Sequence, residues 1–334
     1  MKKFLWVVLA AVMVFALAAC NQAPGGATAG SSPGASPGAS APAQPGSSAQ
    51  NTGKKVSIMT PYLSSVTTSQ MCKSLQSGLE AKGVQVTVVD TKNDFAQLAS
   101  RIEDVVSTGT DAIVIVSVDP TQIQAALQTA FDAKIPVFGC DSGFIDGMQL
   151  NATSDNYAMG EQITKYLFDD LMGGKGTVIA LTYRPHPGVV KRSEAFDALR
   201  PNYPNISLIT EQQVEVPGPI DSARSIVDNL LLANSAKDSV TAIWCAWDEP
   251  AIGSTQSLQD AGRSEVMVTG VDGNQQALDL IKQDSNLKAT IAQNFDGMST
   301  IVVDGIANLF DGKDVQSGDV YAPGNLVTKD TLAK

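Results

Sequence analysis

The sequence predicts an α/β protein that consists of two doubly wound, parallel-sheet lobes. Three observations support this fold class. After Lys55, short runs of Val and Ile alternate with longer stretches of helical periodicity, and the alternation occurs in two successive sets. The chain that follows the N-terminal segments is about 280 residues long, which is more than one hydrophobic core usually serves. We therefore expect two compact lobes, each with its own sheet.

The chain begins with MKKFLWVVLAAVMVFALAAC. Lys2 and Lys3 precede an apolar run that is too short for a stable membrane span, which is the pattern of a secretory signal. The ending Leu17-Ala18-Ala19-Cys20 resembles the lipobox of bacterial lipoproteins. That resemblance implies a signal peptide at residues 1–19, a diacylglycerol on the Cys20 thiol, and an extracytoplasmic domain anchored to the bacterial cell membrane by this lipid.

Residues 20–53 consist, after Cys20, almost entirely of Gly, Ala, Ser, Pro, Gln, Thr and Asn. Such a composition cannot bury a core, so we interpret the segment as a flexible tether. The globular domain is then expected to begin near Lys54.

The first lobe is predicted from four apolar runs, VSIM, VQVTVVD, AIVIVS and IPVFGC. Continuous Val and Ile runs are typical of parallel strands that are buried on both faces. Helical periodicity separates them near residues 68–82, 94–107 and 120–133. The last of these helices has a clear start signal, since Pro120 follows Asp119.

The second lobe repeats the pattern with the strands GTVIALT, SLITEQQV, TAIWCA and VMVTGVD. Its helices are predicted near residues 157–172, 191–199, 220–233, 249–261 and 275–283. The sequence DEP after TAIWCAW places acids and a preset φ in the first turn of a helix. Trp244 and Cys245 are predicted to lie in the strand, with Trp247 between the strand and the helix.

Charge and cysteine content exclude several classes of protein. The chain carries 34 Asp and Glu against 23 Lys and Arg, a formal net charge of −11, and this potential repels phosphate backbones, so nucleic acid is excluded as a partner. Cys72, Cys140 and Cys245 are widely separated and do not indicate a disulfide framework; Cys140 and Cys245 are interpreted as core residues. The sequence has no metal-ligand spacing, no dinucleotide fingerprint, no phosphate loop and no GxSxG elbow. We therefore expect no metal, no cofactor and no catalytic residue.

Ligands of doubly wound sheets bind at the carboxyl ends of the strands, because loops and helix N-termini point there. Two facing lobes would bring these ends together in one cleft. Carboxylates accept hydrogen bonds from ring hydroxyls and an indole stacks on apolar C–H faces, so the set predicts a sugar or polyol ligand. The polar or aromatic residues that follow the predicted strands are Ser64, Ser65, Asp141, Ser142, Arg184, His186, Trp247, Asp248 and Asp272.

Several of these residues have another explanation that the sequence leaves open. Asp141 and Asp272 could cap the helices that follow them. Asp248 begins the DEP signal, which favours capping over binding. Trp247 could be a half-buried core residue.

Five segments in order resemble the type I periplasmic binding proteins of bacterial sugar ABC transporters, close to the ribose- and galactose-binding branch. They are GCDSG, NATSDNYAMG, WDEPAIGSTQSLQDAGR, VTGVDGNQQAL and LKATIAQNFDGM. The resemblance implies two Rossmann-like lobes joined by three hinge crossings near Ser154, Gln293 and Pro323. It assigns residues 54–154 plus 294–323 to the N-terminal lobe and residues 155–293 plus 324–334 to the C-terminal lobe.

The resemblance also implies roles for individual residues. Asp141, Asp272 and Gln293 would hydrogen-bond ligand hydroxyls. His186 and Arg192 resemble the galactose-type pattern, in which a His-Pro is followed by an Arg six residues after the His and both face the sugar. A surface position on the helix is the alternative for Arg192.

The chain departs from the family pattern at three places. After the first strand it has LSSVTT where ribose binders carry stacking aromatics, so Ser64, Ser65 and Thr67 would offer only hydroxyls. Ser142 stands where the ribose pattern has an Arg, and Trp247 where both patterns have an Asn. We therefore expect aromatic stacking to have moved from the first lobe to the second.

The resemblance implies a monomeric, lipid-anchored solute receptor that captures a pentose, hexose or sugar alcohol by hinge closure and delivers it to an ABC permease. No enzymatic activity or cofactor is expected. Two alternatives stay open: a signalling receptor on the same scaffold, for an autoinducer or linked to chemotaxis or a kinase, and an exported hydrolase that uses His186 with a Ser or Asp.

Overall fold

The computed structural model of the protein describes Asn51 and residues 53–333. The predicted signal peptide, Cys20 and almost all of the predicted tether lie outside the described residues. Within the described range, no helix is both long and apolar enough to cross a membrane.

The described residues form β-strands and α-helices in regular alternation. The strands are β1 (Lys55–Thr60), β2 (Gln85–Asp90), β3 (Ala112–Val116), β4 (Val137–Cys140), β5 (Leu150–Thr153), β6 (Gly176–Thr182), β7 (Ile206–Gln213), β8 (Ala242–Cys245), β9 (Met267–Asp272), β10 (Leu287–Ala292), β11 (Gly318–Tyr321) and β12 (Asn325–Thr328). The helices are α1 (Val66–Ala81), α2 (Phe95–Thr108), α3 (Gln124–Asp132), α4 (Asn156–Lys165), α5 (Pro187–Leu199), α6 (Pro219–Ala233), α7 (Asp248–Asp260), α8 (Gln275–Lys282), α9 (Phe295–Phe310) and α10 (Lys329–Leu332).

The strands pair into two six-stranded sheets, which confirms the predicted α/β class. The first sheet has the order β11-β5-β4-β3-β1-β2, and all its pairings are parallel. The second has the order β12-β10-β9-β8-β6-β7, in which only β12 is antiparallel to its neighbour. Two short strands, β5 (LNAT) inside the first sheet and β12 (NLVT) at the edge of the second, carry too few β-branched residues to be predicted from the sequence.

The first sheet is buried on both faces, as its continuous apolar strands predict. Ile113 and Ile115 of β3 pack in the cluster that includes residues of α2 and α3, whereas Val114 and Val116 pack with residues of α1 and α9. This division follows from the two-residue period of side chains along a strand.

The second sheet is covered in the same way, by α4 and α5 with α6, α7 and α8. Trp244 of β8 is only 1% exposed and its ring lies 4.6 Å from that of Phe196, measured between centroids. Trp244 and Cys245 therefore lie in the strand and core, as predicted.

The chain passes between the two lobes three times, between β5 and α4, between β10 and α9, and between β11 and β12. Helix α9 packs against α1 of the first lobe, while α4 packs against α5 of the second. Each passage is only two or three residues long, at residues 154–155, 293–294 and 322–324. Short connections of this kind allow two rigid lobes to rotate about them.

Candidate functional site

A cleft lies between the lobes at the carboxyl ends of their strands. It encloses about 560 Å³ of empty space, part of which is open to solvent. The lining residues are Tyr62, Ser64, Ser65, Thr67, Thr68, Ser117, Asp141, Tyr183, His186, Val189, Arg192, Val216, Pro219, Trp247, Glu249 and Asp272.

Asp141 lines the first-lobe wall immediately after β4. It is buried, its backbone has a left-handed φ of 51°, and its N–H donates to the carbonyl oxygen of Ala152 at 2.7 Å. Its Oδ1 atom is buried without a hydrogen-bond partner among the described residues. A buried carboxylate oxygen that lacks a donor is costly, so this atom is a strong candidate to receive one from a ligand.

Asp272 occupies the equivalent position at the end of β9. Its Oδ1 atom accepts a hydrogen bond from Gln293 Nε2 at 2.8 Å and lies 3.5 Å from Arg192 Nη1. Neither Asp141 nor Asp272 caps a helix, because the N-caps of the helices that follow them are Asp155 and Asn274. The capping alternative is therefore wrong for both aspartates.

Arg192 is 2% exposed, so the alternative of a surface position on the helix is also wrong. Its Nε donates to Asn156 Oδ1 at 2.9 Å, and its Nη1 donates to the carbonyl oxygen of Ala246 at 2.9 Å. These bonds fix the guanidinium beside Asp272 at the base of the cleft.

His186 is the N-cap of α5, which begins four residues earlier than predicted. Its Nδ1 accepts hydrogen bonds from the N–H groups of Gly188 at 3.1 Å and Val189 at 3.4 Å, and Pro187 occupies the first helical position. With Nδ1 as acceptor, Nε2 carries the proton and lies 3.9 Å from Asp141 Oδ2.

Burial, together with the charge of Arg192, lowers the pKa of His186 to about 3. The ring is therefore neutral near pH 7, and its one basic nitrogen is occupied by backbone donors. In this arrangement Nδ1 is not free to act as the base that the hydrolase alternative requires of His186. What His186 offers the cleft is an N–H donor.

Trp247 forms part of the second-lobe wall and is 8% exposed. Its Nε1 donates to Glu249 Oε2 at 3.3 Å, and its ring packs edge-on against Tyr183 with centroids 6.5 Å apart. The residue belongs to the second-lobe core and lines the cleft at the same time. The core explanation of Trp247 is thus partly correct, and its role in ligand binding stays a prediction.

The expectation that the first lobe lacks an aromatic wall is wrong, because Tyr62 lines the cleft from that lobe. Its ring centroid lies 6.2 Å from that of Tyr183 and 6.0 Å from that of His186. Ser64, Ser65 and Thr67, which were expected to line this side, also do so. The cleft therefore has aromatic surface on both walls.

Three residues near strand ends, Ser142, Arg184 and Gln293, do not line the cleft. The hydroxyl of Ser142 accepts the N–H of Val118 at 3.0 Å and donates to the carbonyl of Ile115 at 3.0 Å, so Ser142 braces the sheet edge and does not line the cleft. The guanidinium of Arg184 forms ion pairs with acidic residues outside the cleft. Gln293 is adjacent to the cleft, which it approaches through its bond to Asp272.

Asp248 neither caps its helix nor lines the cleft. It is the first residue of α7, fully buried, and accepts hydrogen bonds from the N–H of Asn274 at 2.9 Å and from Thr290 Oγ1 at 2.7 Å. Its carboxylate joins α7 to the neighbouring segments of the second sheet. This is a structural role that the DEP sequence alone could not distinguish from capping.

Carboxylates outnumber cations in this region. Asp141, Asp272 and Glu249 line the cleft with Asp248 behind them, whereas Arg192 is the single Lys or Arg among the lining residues. Burial raises the pKa of Asp141 to about 7, against the opposing effect of Arg192. Burial also raises the pKa values of Asp248 and Asp272, which repel each other. Such a site favours a ligand that donates several hydrogen bonds.

Sequence reasoning missed Tyr62, Tyr183 and Glu249. Each had a signal, since Tyr62 follows β1 by two residues, Tyr183 directly follows β6, and Glu249 is the second acid of DEP. The residues selected at these places were neighbours one to three positions away. Distance from a strand end therefore identified the loops of the site but not which side chains enter it.

Residues 56–314 match a family model described as the periplasmic binding protein domain. The chain is 27% identical over 286 residues to the ribose import binding protein RbsB of Bacillus subtilis, which covers 84% of this chain and 90% of that protein. It is 23% identical over 291 residues to the xylitol-binding protein of Mycolicibacterium smegmatis, which covers 86% and 81%. The solved structure of an ABC transporter solute binding protein from Agrobacterium vitis, with bound allitol, superimposes with a TM-score of 0.78 at 28% identity and covers 84% of this chain and 97% of that one.

Proposed function

The chain belongs to the type I periplasmic binding proteins of the sugar branch, and we propose that it captures a small sugar or polyol in the cleft between its lobes. The observation that carries this proposal is the buried, unpartnered Oδ1 atom of Asp141, which faces a cleft that also presents the N–H of His186. A ligand hydroxyl would supply the missing donor and accept from the imidazole. The proposed ligand is of pentose, hexose or sugar-alcohol size.

The other lining residues support the same ligand class. Asp272 and Arg192 lie together on the second lobe, where they can accept from and donate to adjacent hydroxyls. Tyr62 and Trp247 offer aromatic faces for the apolar C–H surface of a sugar ring or carbon chain. Ser64, Ser65 and Thr67 line the rim, where we propose hydroxyl contacts.

Capture is proposed to proceed by closure of the lobes. In this structure the lobes already touch across the mouth of the cleft, where Asn93 Nδ2 donates to the carbonyl of Val216 at 2.7 Å and Gln122 Nε2 donates to that of Pro185 at 3.0 Å. Closure around a ligand excludes water and strengthens each hydrogen bond. A ligand stabilises the closed arrangement only by its greater affinity for it.

We further propose that the receptor acts outside the cytoplasm as a monomer, held to the membrane by a lipid on Cys20, and delivers its ligand to an ABC permease. The lipobox-like ending of the first 20 residues and the tether composition support the anchor. The proposed lobes are residues 54–154 plus 294–323 and residues 155–293 plus 324–334, with Gln293 in one crossing.

A thermal-shift screen of the purified protein against pentoses, hexoses, inositols and pentitols tests the ligand class. A ligand at a hundred times its dissociation constant adds about 2.7 kcal/mol to the free energy of unfolding. We expect at least one compound of the panel to stabilise the protein by this amount and other compounds of the same size to leave the unfolding transition unchanged. If no compound shifts the unfolding transition, the sugar or polyol proposal is wrong.

A further inference from the structure

Glu249 connects the two lobes and the aromatic wall through one carboxylate. It lies in the first turn of α7 in the second lobe and is 7% exposed. Its Oε2 atom accepts a hydrogen bond from Trp247 Nε1 at 3.3 Å and another from Ser65 Oγ at 3.1 Å. Since Ser65 belongs to the first lobe, this second bond spans the cleft.

The same carboxylate lies at a helix N-terminus that lacks a cap of its own. Ser65 is the N-cap residue of α1, but its side chain makes no capping hydrogen bond to that helix, and the first turn of α1 contains no acidic residue. The backbone N–H of Val66, the first residue of α1, is close enough to the Glu249 carboxylate of the opposite lobe to lower its pKa. A carboxylate is the group that unpaired N–H donors and the positive end of a helix favour.

These contacts depend on the lobes being together. If the lobes separated, Ser65 and Val66 would leave Glu249, and both the carboxylate and the start of α1 would return to water. Burial and the charge of Asp272 raise the pKa of Glu249, whereas the bonds from Ser65 and Trp247 and the backbone N–H of Val66 lower it. The closed arrangement thus buries an anion and supplies the donors that compensate for its burial.

We infer that Glu249 is a positioning residue that completes the site only in the closed state: it caps α1 across the cleft and holds the Trp247 indole at the cleft wall. This inference rests on the proposed function. Its consequence is that closure and the placement of the aromatic wall occur as one event. Loss of the carboxylate should shorten the lifetime of the closed complex and have little effect on the stability of the fold.

The test compares Glu249→Gln and Ser65→Ala, alone and combined, with the control Asp221→Asn. Asp221 is also an acid in the first turn of a second-lobe helix, but it is exposed. Hydrogen exchange of the α1 N-terminal amides is measured in the ligand-free protein and with D-ribose, xylitol, allitol or myo-inositol. The dissociation rate of each bound probe is followed by Trp fluorescence.

We expect Glu249→Gln to raise the dissociation rate of a bound probe about tenfold and to speed exchange at the start of α1, in the lobe that does not carry the substitution. In the combined variant, Ser65→Ala should change the dissociation rate and the exchange rate by less than it does alone, because Ser65 and Glu249 share one hydrogen bond. The Asp221→Asn control should change neither measurement. Unchanged exchange at α1, or a dissociation rate within twofold of wild type, overturns the inference.

The outcomes separate this inference from the proposed function. If one of the four probes binds but Glu249→Gln behaves as wild type, the receptor proposal stands and the role of Glu249 is wrong. If none of the probes binds, the proposed ligand class fails, and exchange at α1 in the ligand-free protein decides the role of Glu249 alone.

Discussion

Replacing Trp247 by Ala separates a binding role of the indole from a packing role. The side chain is 8% exposed and forms part of the second-lobe core, so truncation creates a cavity. Trp→Ala in a closed core costs about 3–5 kcal/mol. One side of this indole borders the cleft, so we expect Trp247→Ala to lower the free energy of unfolding by about half of that cost, ~2 kcal/mol.

The expected effect on binding follows from the face that the ring presents to the cleft. An exposure of 8% leaves roughly 20 Å² of the indole to be covered, and stacking would bury a similar area of the sugar, about 40 Å² in all, which at about 25 cal/mol per Å² is ~1 kcal/mol. That energy corresponds to a loss of affinity of about fivefold. Loss of the Nε1–H donor to Glu249 would add to this effect.

Trp244→Ala is the matched control, because Trp244 is 1% exposed in β8 and does not line the cleft. We expect it to lose the full ~3–5 kcal/mol of stability and to retain affinity in the fraction that folds. Calorimetric unfolding and isothermal titration with the best compound of the sugar panel measure both quantities. If Trp247→Ala binds as wild type but unfolds as easily as Trp244→Ala, the reasoning is refuted.

Three further predictions follow from the buried polar groups. Arg192→Ala should abolish measurable sugar binding in titration and lower the unfolding temperature, since it leaves Asn156 and the Ala246 carbonyl without their donor. The free energy of unfolding of the ligand-free protein should fall between pH 6.5 and 8 in calorimetry, because folded Asp141 and Asp248, with pKa values of about 7, and Asp272, with a pKa of about 6, release protons there that the unfolded chain has already lost. Asp141→Asn should remove about 1 kcal/mol of this fall, and an unchanged slope contradicts the assignment. Ser142→Ala should cost about 1–2 kcal/mol of stability and leave affinity unchanged, whereas a loss of affinity without a loss of stability would return Ser142 to the binding site.

The fold was predictable because buried parallel strands and amphipathic helices leave strong periodic signals. The continuous apolar run AIVIV predicts a central strand, and it forms β3. The strands next to it alternate with helices in the predicted order. Strands β5 (LNAT) and β10 (LKATIA) lie inside their sheets but were not predicted, because they carry few β-branched residues. The edge strands β11 and β12 were not predicted, because each has four residues and pairs on the periphery of its sheet. Their identity depends on which chain segment returns to the edge, and that is a tertiary property.

The candidate site was predictable as a place but only partly as a set of side chains. Asp141 and Asp272 end strands, and the backbone directs both into the cleft. Ser142 follows Asp141 directly, yet its hydroxyl finds backbone partners inside the first lobe. The hydrogen bond from Ser65 to Glu249 could not be recognised from either segment, because the two residues lie 184 positions apart in different lobes.

The polar contacts of the second-lobe wall reach the segments on which the lobes would rotate. Arg192 donates to Asn156, and Asn156 Nδ2 in turn donates to the carbonyl of Ser154 at 3.1 Å, in the first crossing. Asp272 accepts from Gln293, in the second crossing, at 2.8 Å.

Second-lobe side chains that would hold the ligand are therefore restrained by the crossings before any ligand arrives. Asp141 on the opposite lobe has no such bond to its Oδ1 atom. A ligand that donates to Asp141 while it contacts Asp272 would satisfy this free acceptor only when the lobes come together. Under the proposed function, this asymmetry gives a physical reason why ligand binding would favour closure. The second lobe would be preorganised to hold the ligand, and Asp141 of the first lobe would gain its missing hydrogen bond only when the lobes close.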